Sequence, residues 1–141
     1  MQTPYQILGE EGIRQLCDAF YDVMDDAHEA AGIRRMHKED LSPMKEKLAE
    51  YLIGWMGGPP LYAAKYGGVC MTEPHEPYAI GPNERDQWLL CMDRALEKID
   101  ASDELKAMLK EPMFRIADAV RNKNFSPDER KRDDPDIIAI S

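Results

Sequence analysis

Residues 42–60 read SPMKEKLAEYLIGWMGGPP, a stretch that predicts one helix with both of its ends marked. Ser42 is a favourable N-cap. Pro43 suits the first helical position, because a backbone N–H at that position would have no partner within the helix. The apolar positions recur at spacings of three and four: Met44, Leu48, Tyr51, Leu52 and Trp55. Gly57-Gly58 can supply a left-handed cap, and Pro59-Pro60 cannot continue a helix. We therefore predict an amphipathic helix that ends near residue 56.

Helical periods continue on both sides of this stretch. Upstream, residues 10–26 place Ile13, Leu16, Cys17, Phe20 and Met24 on one face. Downstream, residues 83–99 do the same with Trp88, Leu89, Met92, Leu96 and Ile99. A further helix begins after Ser102 as N-cap and keeps its period to Val120, with a kink or break expected at Pro112. No alternating strand pattern of convincing length occurs, so the predicted fold class is all-α.

Length and charge limit the classes of function. The chain has 141 residues, of which 43% are apolar, enough for one domain with its own core. We place this domain at residues 1–125 and expect the charged tail, residues 126–141, to be loosely ordered. The 27 acidic and 18 basic side chains give a net charge of −9, which argues against binding to nucleic acid or to anionic membranes.

The expected location is the cytoplasm. No apolar stretch approaches the length of a membrane span, and the first residues do not resemble a signal peptide. The three cysteines, Cys17, Cys70 and Cys91, are widely spaced without a CxxC pair. This favours buried thiols in a reducing compartment over a zinc site or disulfides.

Residues 57–82 form a connection rich in Gly and Pro, with only a short helix predicted around residues 62–66. A connection of this length in a compact domain is usually functional or disordered. It also holds large apolar residues, which favours a loop that wraps something: Leu61, Tyr62, Tyr66, Val69, Met71, Tyr78 and Ile80.

His75 lies in this connection between Pro74 and Pro77, which present its ring on a stiff loop. One imidazole cannot hold zinc, but one is enough as the axial ligand of a haem iron. The residues alone favour a structural role for His75 over this one.

Six strings along the chain carry a resemblance to a known family. They are Phe20-Tyr21, Asp40-Leu41, Lys47-Leu48, Gly57-Gly58-Pro59-Pro60-Leu61-Tyr62, His75-Glu76-Pro77-Tyr78-Ala79-Ile80 and Asp86-Gln87-Trp88-Leu89-Leu90-Cys91-Met92. In this order and spacing they resemble the truncated haemoglobins of group II, over about residues 4–120. The resemblance implies a shortened globin in which two helices pack over two around haem b.

The resemblance also implies the roles of individual residues. His75 looks like the iron ligand, and Tyr21, His37 and Trp88 look like the donors on the opposite, distal side of the haem. Met44 stands where larger globins carry a distal histidine, but a thioether cannot donate a hydrogen bond. Lys47 matches a residue that reaches a haem propionate. The remaining residues implied to contact the cofactor are Leu48, Tyr62, Met71, Tyr78, Ile80 and Met92.

One departure from the family affects how the haem is held. Many relatives carry an arginine immediately before the iron ligand, where this chain has Pro74. That ion pair to a propionate is therefore missing, so we expect haem retention to depend more on Lys47 and on apolar contacts.

The implied ligands are O2, NO, CO or peroxide at a five-coordinate iron. Two or three donors would slow O2 release, which favours chemistry on NO or peroxide over oxygen delivery, with an unknown reductase as partner. A monomer or weak homodimer is expected. The alternatives are a simple oxygen carrier and a haem-free helical interaction module in which His75 is structural.

Overall fold

The computed structural model describes residues 2–67 and 80–119, and within them every regular element is a helix. The four long helices are α1 (Pro4–Asp26), α3 (Ser42–Trp55), α5 (Pro82–Lys98) and α6 (Asp103–Ala119). A 3₁₀ turn at His28–Ala30 leads into α2 (Ala31–Arg34), and α4 (Leu61–Tyr66) follows α3. The prediction of an all-α fold is confirmed. None of the helices described is long and apolar enough to cross a lipid bilayer.

The first helix begins earlier than predicted. Thr3 caps it through a reciprocal pair of hydrogen bonds, in which the Gln6 amide N–H donates to the Thr3 hydroxyl and the Thr3 N–H donates to the Gln6 side chain. Gly9, at φ +71° and ψ 172°, then interrupts the helix before the long apolar period starts. The predicted start at residue 10 is therefore wrong by one short helical segment.

The two predicted serine caps have different outcomes. The Leu105 N–H donates to the Ser102 hydroxyl at 3.1 Å, so Ser102 caps α6 as predicted. Ser42 is not the N-cap of α3, because Leu41 holds that position and the Ser42 N–H donates to the Asp40 carboxylate at 3.0 Å. The N–H groups of Met44 and Lys45, which a capping Ser42 hydroxyl would serve, donate instead to the Leu41 carbonyl at 3.0 Å each.

Two proline and glycine predictions concern helix ends. Gly57 has a φ of +106° directly after α3, as expected of a left-handed cap. Pro112 lies inside α6, which continues to Ala119, so of the kink or break expected there the break does not occur, and the kink stays a prediction.

Helix α1 forms the centre of the fold because it packs on both α3 and α5, while α5 also packs on α6. The fully buried side chains come from all four long helices and include Ile13, Leu16, Phe20, Met24, Leu52, Ile53, Met92, Leu105 and Leu109. The end of α3 is fastened to the start of α1, where the Tyr5 N–H donates to the Met56 carbonyl at 3.0 Å. The proposed tail, residues 126–141, lies outside the described residues.

Candidate functional site

Four aromatic rings from three parts of the chain meet on the inner side of α1. Tyr21 lies edge-to-face against Phe20, with ring centroids 4.9 Å apart, and against His37 at 5.8 Å. Phe20 in turn contacts Trp88 of α5 at 5.2 Å. The structure therefore brings together the three residues predicted as distal donors, with the fully buried Phe20 between two of them.

Two of these rings carry polar groups for which residues 2–67 and 80–119 supply no hydrogen-bond partner. The Tyr21 side chain is buried, with 3% of the residue exposed, and burial raises the pKa of its hydroxyl well above the usual value of 10. Its hydroxyl therefore stays protonated. The partly buried indole N–H of Trp88 can only donate. A buried donor without a partner is costly, so such groups mark a place where a ligand supplies the acceptor.

His37 is held in place by the polypeptide that leads from α2 to α3. Its Nδ1 lies 2.8 Å from the Ile33 carbonyl oxygen. Arg34 fastens the same segment, because its guanidinium reaches the Asp25 carboxylate of α1 at 2.9 Å and the carbonyls of residues 38 and 39. The basic cluster that interrupts the helical pattern in the sequence thus anchors the ring beside Tyr21.

Helix α3 presents Met44, Lys47 and Leu48 at spacings that share one side of the helix. Met44 and Leu48 are partly buried against the core. The Lys47 ammonium lies 5.3 Å from the ring centroid of Tyr66 and forms no ion pair within the described part of the chain. A half-buried lysine that pairs with none of the carboxylates of residues 2–67 and 80–119 suits an anion supplied from outside.

An apolar cavity of about 210 Å³ lies between α3 and α4. Its lining residues are Glu50, Tyr51, Gly54, Trp55, Pro60, Tyr62 and Ala63. The Tyr62 ring contacts Tyr51 at 5.6 Å and the exposed Tyr66 at 4.6 Å. Sequence reasoning misses Tyr51 as a site residue, although its position three residues after Leu48 signals the same helix face.

Buried Glu50 has its charge compensated at the edge of this cavity. The Lys65 ammonium lies 3.2 Å from the Glu50 carboxylate. Glu50 is 7% exposed, and an unpaired carboxylate there would be strongly unfavourable.

The other predicted cofactor contacts divide into two groups. Ile80 and Met92 are buried, at 8% and 1% exposed. His75, Met71 and Tyr78 lie outside the described residues, so their roles stay predictions.

Comparison with known proteins decides the family. A family model described as bacterial-like globin matches residues 3–122, more than half of the chain. The group 2 truncated hemoglobin YjbI of Bacillus subtilis (strain 168) is 31% identical over 107 residues, which cover 76% of this chain and 79% of that protein. This chain belongs to the group II truncated haemoglobins.

Solved structures of group II truncated haemoglobins share the fold. The group II 2-on-2 hemoglobin from Agrobacterium tumefaciens superposes with a TM-score of 0.81 at 37% identity, covering 86% of this chain and 95% of that one. The truncated oxygen-avid haemoglobin from Bacillus subtilis gives 0.78 at 28% identity, covering 86% and 100%. The predicted two-over-two globin fold is confirmed.

Membership of this family implies that the truncated haemoglobin binds haem and oxygen. The residues in place fit such a cofactor and its ligand. The unpartnered hydroxyl of Tyr21 and N–H of Trp88 suit an acceptor that the described part of the chain does not provide, and the unpaired Lys47 suits a propionate. A haem-free helical module, which the residues alone left open, leaves these three groups unexplained.

Proposed function

We propose that this truncated haemoglobin retains oxygen instead of delivering it, and that it uses the retained gas to oxidise nitric oxide or acts on peroxide. The observation that carries the proposal is a pair of donors, Tyr21 and Trp88, that both pack against Phe20 and have no hydrogen-bond partner among residues 2–67 and 80–119. Haem b supplies the iron at which a diatomic gas binds. Everything else in the proposal concerns what the side chains do to that gas.

Two donors are enough to make release slow. Tyr21 and Trp88 would each donate a charge-assisted hydrogen bond of about 1.5–3 kcal/mol to a gas ligand that carries partial negative charge. Since about 1.4 kcal/mol corresponds to a factor of ten, two such bonds slow dissociation by roughly a hundredfold or more. The solved relative described as oxygen-avid supports this proposal.

The proposed roles of the remaining residues follow the family pattern. His75 would hold the haem iron, and the Lys47 ammonium would neutralise a propionate. The apolar contacts to haem come from Met44, Leu48, Tyr62, Met71, Tyr78, Ile80 and Met92. His37 completes the distal side beside Tyr21.

Redox turnover requires a partner. The net conversion NO + O2 + e⁻ → NO3⁻ consumes one electron, which an as yet unidentified reductase would return to the haem. NO and CO are further ligands of the same iron. The protein would act in the cytoplasm as a monomer or weak homodimer, through a globin domain at residues 1–125.

The first test is the absorption spectrum of the purified, reduced and oxygenated protein. A Soret band with a stable oxygenated form is expected, and a colourless protein that does not take up haem would overturn the proposal. Nitric oxide is then added to the oxygenated protein, and nitrate is measured. Rapid oxygen release without nitrate formation would instead indicate a simple oxygen carrier.

A further inference from the structure

Gln87, the residue before Trp88 on α5, reaches across to the backbone of α2. The Ile33 N–H donates to the Gln87 side-chain oxygen at 3.0 Å. Gly32 makes room for this contact, because a Cβ there would lie 2.8 Å from the same oxygen and 3.0 Å from the amide nitrogen. Position 32 therefore requires glycine, because a larger residue would displace the amide group of Gln87.

The other polar group of Ile33 faces His37. The Ile33 carbonyl accepts from His37 Nδ1 at 2.8 Å and from the Met36 N–H at 3.0 Å. Ile33 is 5% exposed, so water does not replace these bonds easily. Ile33 thus links the two side chains: its N–H donates to Gln87, and its carbonyl accepts from His37.

A carbonyl oxygen can only accept, so the proton of this bond belongs to His37 Nδ1. In a neutral imidazole one nitrogen donates and the other carries the lone pair. The tautomer of His37 is therefore fixed by the position of Ile33, which Gln87 determines from the neighbouring helix.

We propose that Gln87 is a positioning residue that holds His37 in its Nδ1–H tautomer, so that neutral His37 carries its acceptor lone pair at Nε2 and leaves donation to Tyr21 and Trp88. The inference rests on the proposed function only in assigning His37 to the distal side of the haem. The sequence predicts three donors, whereas this geometry gives two donors and one acceptor. An acceptor beside Tyr21 orients a hydroxyl or receives a proton, where a third donor would only add retention.

The tautomer is measured directly from long-range ¹⁵N–¹H NMR spectra of haem-loaded protein in its diamagnetic carbon monoxide form. The wild type is expected to show the Nδ1–H pattern for His37. Gln87→Leu removes the acceptor of the Ile33 N–H. Gly32→Ala displaces the Gln87 amide group without any substitution in α5. Both variants are expected to lose the single Nδ1–H pattern and gain the Nε2–H signal, which is the favoured tautomer of free histidine.

Two variants serve as matched controls. Gln87→Glu keeps an oxygen for the Ile33 N–H and is expected to retain the Nδ1–H pattern. Asp86→Ala, one residue earlier, removes an exposed carboxylate that pairs with Arg85 on its own helix and is expected to change nothing.

Three results would each overturn a different step, and they are distinguishable. An Nε2–H pattern in the wild type would overturn the assigned tautomer. An unchanged pattern in both Gln87→Leu and Gly32→Ala would overturn the positioning role of Gln87. Oxygen release measured on the oxygenated form of the same variants tests the proposed function separately. A changed tautomer with unchanged release would overturn the distal role of His37 and leave the positioning by Gln87 standing.

Discussion

Tyr21 and His37 meet edge to face, with ring centroids 5.8 Å apart and ring planes at 70°, although α1 carries one and the segment after α2 carries the other. Different surroundings determine where each of the two rings carries its proton. Burial keeps the Tyr21 hydroxyl protonated by raising its pKa, and the Ile33 carbonyl fixes the proton on His37 Nδ1. A substitution that changes the protonation of one ring can therefore leave the protonation of the other unchanged.

The first prediction concerns oxygen release from single-donor variants. Tyr21→Phe and Trp88→Phe each remove one charge-assisted hydrogen bond while keeping an aromatic ring against Phe20. Each is expected to release oxygen about ten- to a hundredfold faster than wild type in stopped-flow measurements. Tyr66→Phe, which removes an exposed hydroxyl, is the control and should leave the rate unchanged. Wild-type rates in both distal variants would contradict the proposed retention of oxygen.

A second prediction concerns haem retention. Lys47 is the described lysine assigned to a propionate, and Pro74 removes the arginine that many relatives use for the same purpose. Lys47→Ala is expected to transfer haem to a scavenging apoprotein about two- to fivefold faster at low salt, with the difference shrinking as salt screens the pair. Lys45→Ala is the matched control, because Lys45 pairs with Asp18 and Asp22 on α1. Equal haem loss in the Lys47 variant and wild type would rule out the assigned role.

The third prediction concerns the buried thiols. Burial raises the pKa of Cys17 to about 12 and of Cys91 to about 11, above the usual 9.0. The thiolate, which is the reactive form, is therefore on the order of a thousandth of Cys91 or less at pH 8. In a Cys70→Ser background the native protein should not react with a thiol reagent within minutes, and both thiols should react after denaturation. Fast modification of the native chain would contradict this.

The same thiols give alkaline conditions a defined effect on stability. A group whose pKa is raised by folding stabilises the folded state below its unfolded pKa, and this stabilisation is lost as the pH rises through the folded value. For Cys17 and Cys91 the loss begins near pH 9 and continues to about pH 11 and above. Urea unfolding midpoints should therefore fall between about pH 8.5 and about pH 10.5. The fall should be smaller in the Cys17→Ala variant, compared with its own midpoint at the lower pH.

The fourth prediction compares two glycines at the end of α3. A Cβ on Gly58 would lie 2.5 and 2.6 Å from the Tyr5 ring and 2.9 Å from the Ile53 carbonyl, so Gly58→Ala should lower the free energy of unfolding by about 1–3 kcal/mol. A Cβ on Gly54 would meet its nearest atoms at 3.3 and 3.4 Å inside the helix. The free energy of unfolding of Gly54→Ala should therefore stay within about 1 kcal/mol of wild type, since the preference of alanine over glycine inside a helix offsets the mild crowding. Equal effects in urea unfolding would contradict this comparison.

The predictability of the fold varies between particular residues. The apolar periods locate all four long helices, because a helix that buries one face carries apolar residues at spacings of three and four. Ser102 is predicted correctly as a cap and Ser42 is not, because α3 begins one residue earlier and the Met44 and Lys45 N–H groups donate to the Leu41 carbonyl. The start of α1 is missed because Gly9 ends the period, although Thr3, Pro4 and Gln6 carry a capping signal of their own.

The candidate site is only partly accessible from the sequence. The family resemblance brings Tyr21, His37 and Trp88 together. The structure places the Tyr21 and Trp88 rings against Phe20 and the His37 ring against Tyr21. Gln87 has no comparable signal, because its contact joins residues 54 positions apart and follows no periodicity. A hydrogen bond between a side chain and a distant peptide depends on tertiary packing, which single-sequence patterns do not encode.

The central place of α1 also bears on how the protein is made. It packs on α5 as well as on α3, and the last residue of α5, Lys98, follows Asp26 by 72 residues. At roughly 5–20 residues per second, a ribosome needs about 4 to 14 seconds to synthesise that interval. During this time Phe20 of the nascent α1 lacks its contact with Trp88. Chaperones should therefore bind the growing chain at this segment, and synthesis must run to near the end of α5 before the globin core can close.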